Sequence, residues 1–134
     1  MSAKVPNTNV RLKRAYETPA ADDGARILVD RLWPRAVSKQ ALALDKWMKD
    51  IAPSTGLRRW FEHDPGRWHE FCRRYAAEVQ EHQDLLDELR ARARKGRITL
   101  VFSARDEVHN DAVALRDFIL HGLADREDAK VQRK

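Results

Sequence analysis

Hydrophobic positions recur along this chain with two different periods. Val10, Leu12 and Tyr16 stand at even spacing, with Arg11, Lys13 and Ala15 between them, a pattern that predicts a strand. Arg26-Ile27-Leu28-Val29-Asp30 and Ile98-Thr99-Leu100-Val101-Phe102 are short continuous apolar runs, which predict strands covered on both faces. Elsewhere the apolar residues step by three and four. Trp68, Phe71, Tyr75, Val79, His82, Leu86, Leu89 and Ala93 make the most regular helical stripe, as one helix or as two broken near Gln83-Asp84. Ala112, Leu115, Phe118, Ile119 and Leu123 predict a last amphipathic helix.

Turn and cap residues punctuate these runs. Pro19 and Asp22-Asp23-Gly24 predict a loop between the first two strands. Ser38 and Ser54 are N-caps for short helices, the second carrying Leu57, Trp60 and Phe61. Asp64-Pro65 predicts a helix start and Lys95-Gly96 a helix stop. Residues 44–51 fit both a helix face and a strand. Residues 1–8 read as a loose arm and 125–134 as a charged, frayed end, leaving a core of about 9–124 within one domain, 1–134. There is no internal repeat and no dividing linker.

The order strand, strand, helices, strand, helix predicts an α/β fold: a single compact domain with a small, mostly parallel sheet flanked by helices. In such sheets ligands bind beyond the carboxyl ends of the strands. That rule selects the loop after Asp30 and the loop after Phe102. The first carries Arg31, Trp33, Pro34 and Arg35, a stiff turn on which Arg31 and Arg35 suit a phosphate or carboxylate and Trp33 suits a planar ligand or a cover for the core. A salt bridge between Asp30 and Arg31 is the structural alternative. The second loop carries Arg105, Asp106, His109 and Asn110, with backbone N–H groups expected to face the same crevice. Arg105 adds charge, Asp106 is a cap candidate, and His109 is a candidate acid or base. His63, beside Asp64-Pro65, joins the candidates if its turn folds over the sheet end.

Charge and composition narrow the partners. The chain has 26 Lys+Arg against 21 Asp+Glu, a net charge of +5, which favours anionic partners, while the absence of a basic block favours a small molecule over nucleic acid. No apolar run is long enough for a bilayer, and the first residues lack a secretory pattern; with the lone Cys72, this points to the cytoplasm. No metal-ligand spacing, dinucleotide fingerprint, Walker loop or nucleophile elbow is present, so no cofactor is expected.

Taken together, Asp30-Arg31-Leu32-Trp33-Pro34-Arg35, Leu44-Asp45 with Trp47, Ile51-Ala52-Pro53-Ser54, Trp60-Phe61 with His63-Asp64-Pro65, and Ala104-Arg105-Asp106 with His109-Asn110 resemble YeaO-like proteins of domain-of-unknown-function family 488. The resemblance covers about residues 10–121 and implies a small α/β fold without an agreed activity. Some members carry a MarR-like label, which two buried parallel strands do not support. One departure stands out: the family leads us to expect glycine after Pro34-Arg35, and this chain has Ala36. Three functions compete. The chain is a ligand-binding protein or enzyme, with Asp30, His63 and His109 as proton-transfer groups and Arg31, Trp33, Arg35, Arg105 and Asn110 as ligand contacts. Otherwise it is a nucleic-acid-binding or regulatory module, or an interaction protein whose polar clusters only hold the fold. Convergence of the arginines in one crevice, their spread over a convex face, or their complete pairing with acids separates the three.

Overall fold

The two continuous apolar runs lie side by side at the centre of the sheet. In a computed structural model describing residues 4–132, β2 (Ala25–Leu28) pairs in parallel with β4 (Ile98–Phe102), Ala25 opposite Ile98 and Leu28 opposite Val101. The strand β1 (Val10–Arg14) takes the other side of β4, and the two-residue β3 (Lys46–Trp47) takes the other side of β2. All pairings are parallel, and the order is β1-β4-β2-β3. Every residue of β4 is buried, which explains its unbroken apolar run.

Side chains alternate between two layers, as strand geometry requires. Val10, Ile27, Val29, Ile98, Leu100 and Phe102 join the main core, with α3 (Trp68–Gln80), α4 (Gln83–Lys95) and α5 (Asp111–Gln132). Leu28, Val101 and Ala15 point the other way, under Leu42 of α1 (Lys39–Leu42) and the side chains of Trp33, Val37, Leu44 and Trp47. The α/β architecture expected from the periodicity is therefore present.

Local chemistry sets the element ends. Ser38 Oγ accepts the Ala41 N–H at 3.0 Å, and Ser54 Oγ accepts that of Leu57 at 3.1 Å to start α2 (Thr55–Phe61). Asp64 caps a 3₁₀ turn, Pro65–Arg67, before α3 begins at Trp68. The long stripe is two helices, separated at Glu81-His82. Residues 44–51 fit two periods because they contain both structures: β3, then a 3₁₀ turn over Lys49–Ile51.

Two expectations need revision. The first described residues are tied down: Val5 is buried, Asn9 donates to the Ala93 carbonyl at 2.6 Å, and Arg116 donates to the carbonyls of Val10 and Asn7. At the other end the backbone is helical through Gln132, with a break at Gly122 (φ 78°, ψ 167°), where the charge pattern predicts an irregular tail. The outermost parts of both ends, residues 1–3 and 133–134, lie outside the described residues. The expectation at Ala36 has a physical basis: its φ is 64°, a left-handed conformation that costs a non-glycine residue about 1–2 kcal/mol. Among the described residues no helix is long and apolar enough to cross a membrane.

Candidate functional site

The chain leaves β2 toward α1 on one face of the sheet and leaves β4 toward α5 on the other. Neighbouring strands whose exits diverge leave a crevice between them at their carboxyl ends. A cavity of about 800 Å³ occupies that position, bounded by Asp30 after β2, by Ser103 to Asp111 after β4, and by α2 with its following turn. Phe61, Phe71 and Pro53 give it an apolar wall.

Two carboxyls meet in the cavity wall, Asp30 and Asp111. Asp30 Oδ2 accepts the Ser103 N–H at 2.9 Å, and Asp111 Oδ1 accepts the Ala112 N–H at 2.9 Å. Burial pushes the Asp111 carboxyl well above the usual range, and the charge and hydrogen bond of Asp30 push it further. The Ala112 N–H and the Arg58 charge oppose this more weakly. Asp111 therefore favours its protonated form beside Asp30. Because the folded pKa of Asp111 is raised, its contribution to stability is full below the unfolded value, about 4, and is lost as pH rises through the folded value. Asp111→Asn keeps an acceptor for Ala112 and a donor for Asp30. It should raise the melting temperature near pH 8 and leave it little changed near pH 3. A gain independent of pH between these limits would contradict a protonated Asp111.

In the loop after β4, side-chain oxygens take several of the backbone N–H groups. Asp106 Oδ1 accepts from Val108 and His109, both at 2.9 Å, and Asn110 Oδ1 accepts from Val113 at 2.9 Å. With Ser103 and Ala112 already bound to Asp30 and Asp111, side-chain oxygens occupy these positions. The His109 and Val108 N–H groups hold the Asp106 carboxyl below its usual range. Asp106 also fixes His109, whose Nδ1 lies 3.0 Å from Oδ2 and whose ring stands edge-on to Trp68 at 5.3 Å. Arg14 braces the loop from β1 by donating to the carbonyls of Ser103 and Ala104.

The predicted residues divide cleanly. Asp30, His63, Arg105, His109 and Asn110 all line the cavity. Asn110 is buried and caps α5, with its Nδ2 donating to the Asp106 carbonyl. Arg31, Trp33 and Arg35 do not line it. Arg31 turns toward the chain after β3, where it donates to the carbonyls of Ala52 and Pro53. Trp33 lies on the opposite sheet face, edge-on to Trp47 and bonded to the Val37 carbonyl. Arg35 is exposed, and its carbonyl accepts from Tyr16. The turn at Pro34 thus serves the second core layer, and no salt bridge joins Asp30 to Arg31 among the described residues.

Three charged cavity residues escaped the sequence pattern: Asp111, Arg58 and Arg59. Asp111 directly follows Asn110 and reads as an ordinary acid in a first helical turn. Arg58-Arg59 reads as the solvated side of a short helix. The available signal was positional, since α2 connects β3 to α3 near the end of β2. Arg58, Arg59 and Arg105 are exposed at the cavity, and their guanidiniums make no hydrogen bond or ion pair with another described residue, although the Arg58 charge acts on Asp111. Arg14, Arg26, Arg31, Arg90 and Arg116, by contrast, bond to backbone carbonyls.

The family described as the inactive DUF488-N3 subclade matches residues 9–133, nearly the whole described chain. This chain belongs to that subclade. It is 41% identical over 111 residues to the uncharacterized protein YeaO of Escherichia coli (strain K12), covering 83% of this chain and 96% of YeaO. It is 38% identical over 115 residues to the uncharacterized protein Rv3073c of Mycobacterium tuberculosis (strain ATCC 25618 / H37Rv), covering 86% of this chain and 97% of that protein. The uncharacterized protein Mb3100c of Mycobacterium bovis gives the same values. The YeaO-like membership expected from the motifs thus stands, and those motifs fall on both core layers as well as on the cavity. No solved structure matches the chain.

Proposed function

We propose that this domain binds an anionic small molecule in the cavity and that it binds without turning its ligand over. The observation that carries this is the convergence of Arg58, Arg59 and Arg105 on one concave surface, their guanidiniums without a hydrogen bond or ion pair among the described residues. Catalysis is disfavoured by the subclade's description as inactive. His109, with Nδ1 committed to Asp106, and His63 at the mouth then serve as ligand contacts. Binding to nucleic acid has less support, because many arginines outside the cavity are bound to carbonyls or acids of the fold.

The test compares two kinds of arginine. Arg→Lys keeps the charge but removes the planar fork. Arg58→Lys and Arg105→Lys should each weaken binding of a phosphorylated metabolite by roughly ten- to hundredfold, about 1.5–3 kcal/mol per lost charge-assisted bond. Arg31→Lys should lower the melting temperature and leave the affinity alone, since its guanidinium serves backbone carbonyls. A thermal-shift screen of phosphorylated metabolites followed by calorimetry measures both. Undiminished binding in both cavity variants would sink the proposal.

A further inference from the structure

The cavity is bipolar, and this restricts which anions suit it. Arg58, Arg59 and Arg105 are exposed, whereas Asp30 and Asp111 are half-buried, with the rings of Phe61 and Phe71 forming part of the wall. A bare anion drawn in by the guanidiniums meets an acidic interior and leaves most of about 800 Å³ unfilled. Each carboxyl has one oxygen held by a backbone N–H, that of Ser103 or that of Ala112. The remaining oxygens can accept, and a protonated Asp111 can also donate. A hydroxyl matches such a pair, because it also does both. An ammonium only donates and is better matched by two ionised carboxylates.

We infer that the ligand is a hydroxyl-bearing phosphate ester of the nucleoside or sugar monophosphate class, its phosphate on Arg58, Arg59 and Arg105 and its vicinal hydroxyls on Asp30 and Asp111. The apolar wall then covers the base or the sugar face. A space of this size, with exposed cations and half-buried acids in its lining, is suited to one mononucleotide. This assignment rests on the anion-binding reading above.

Calorimetry on the full chain with a ribonucleoside 5′-monophosphate and its 2′,3′-dideoxy analogue tests it. The ribonucleotide should bind at least about tenfold more tightly, because removing the hydroxyls leaves inner polar groups unpaired. Asp111→Leu, similar in size but unable to hydrogen-bond, should bring the two affinities together. Should that variant fail to fold, the comparison on the unaltered chain decides alone. Equal binding of the two nucleotides overturns the hydroxyl assignment and leaves the anion site standing. Failure of both to bind, with inorganic phosphate and pyrophosphate also silent, overturns the anion reading as well.

Discussion

Asp23→Ala is expected to cost about 3–5 kcal/mol, the range for breaking a buried ion pair by removing one partner. Asp23 keeps 1% of its surface exposed and Arg26 4%. Their side chains meet at 2.7 Å, and Lys13 approaches the same carboxylate at 3.0 Å. Asp23 also accepts the Ala20 N–H, while its own carbonyl accepts the Thr99 hydroxyl at 2.6 Å and so ties the turn to β4. Alanine would leave the Arg26 guanidinium buried with only the Leu42 carbonyl as partner. Denaturant titration measures the loss. A cost below about 1 kcal/mol, typical of surface substitutions, would show that water reaches this pair.

The same group makes the fold sensitive to acid. Burial raises the Asp23 carboxyl, but the hydrogen bonds from Ala20, Lys13 and Arg26 outweigh it and hold the pKa at about 2. A depressed pKa contributes stability that is fully present above the unfolded value, about 4, and is lost as pH falls through the folded value. At about 1.4 kcal/mol per unit, this is roughly 2–3 kcal/mol lost between pH 4 and pH 2. Asp23→Ala should therefore be less costly at pH 2 than at pH 7.

That ion pair shows where sequence reading reaches and where it stops. Asp22-Asp23-Gly24 is legible as a turn, because glycine there adopts φ 66° and a Cβ would lie 2.0 Å from the Arg97 carbonyl oxygen. Nothing local says that Asp23 points inward to an arginine three residues on, since burial of a turn acid depends on which strand passes beneath it. Strands and helix caps were legible because they depend on spacing and on neighbouring residues. The site was legible only as a place, through the rule about the ends of parallel strands. Arg31 and Arg105 occupy similar positions after their strands, yet one braces carbonyls and the other borders the cavity. Their difference is set by the packing of Ala52-Pro53, which lies far from both in sequence. Asp111 was hidden for a similar reason: its partner is Asp30, from another strand.

Phe71→Ala should cost about 3–5 kcal/mol. Phe71 is 2% exposed, stacks on Phe61 with centroids 4.5 Å apart, and touches Trp68 at 5.6 Å and Tyr75 at 5.7 Å. It also forms part of the cavity wall, which makes the outcome informative beyond the core. A void left here opens into the cavity, where water can fill it, so the cost should lie toward the lower end of the range. Phe118, fully buried against Tyr75 and absent from the cavity wall, is the comparison. Phe118→Ala leaves a closed apolar void and should cost more, nearer about 5 kcal/mol. Chemical denaturation of both variants in one buffer gives the difference. If Phe71→Ala proves as costly as Phe118→Ala, the wall is sealed and the cavity does not reach the ring. If it costs under about 1 kcal/mol, the aromatic stripe of α3 does not hold the core together.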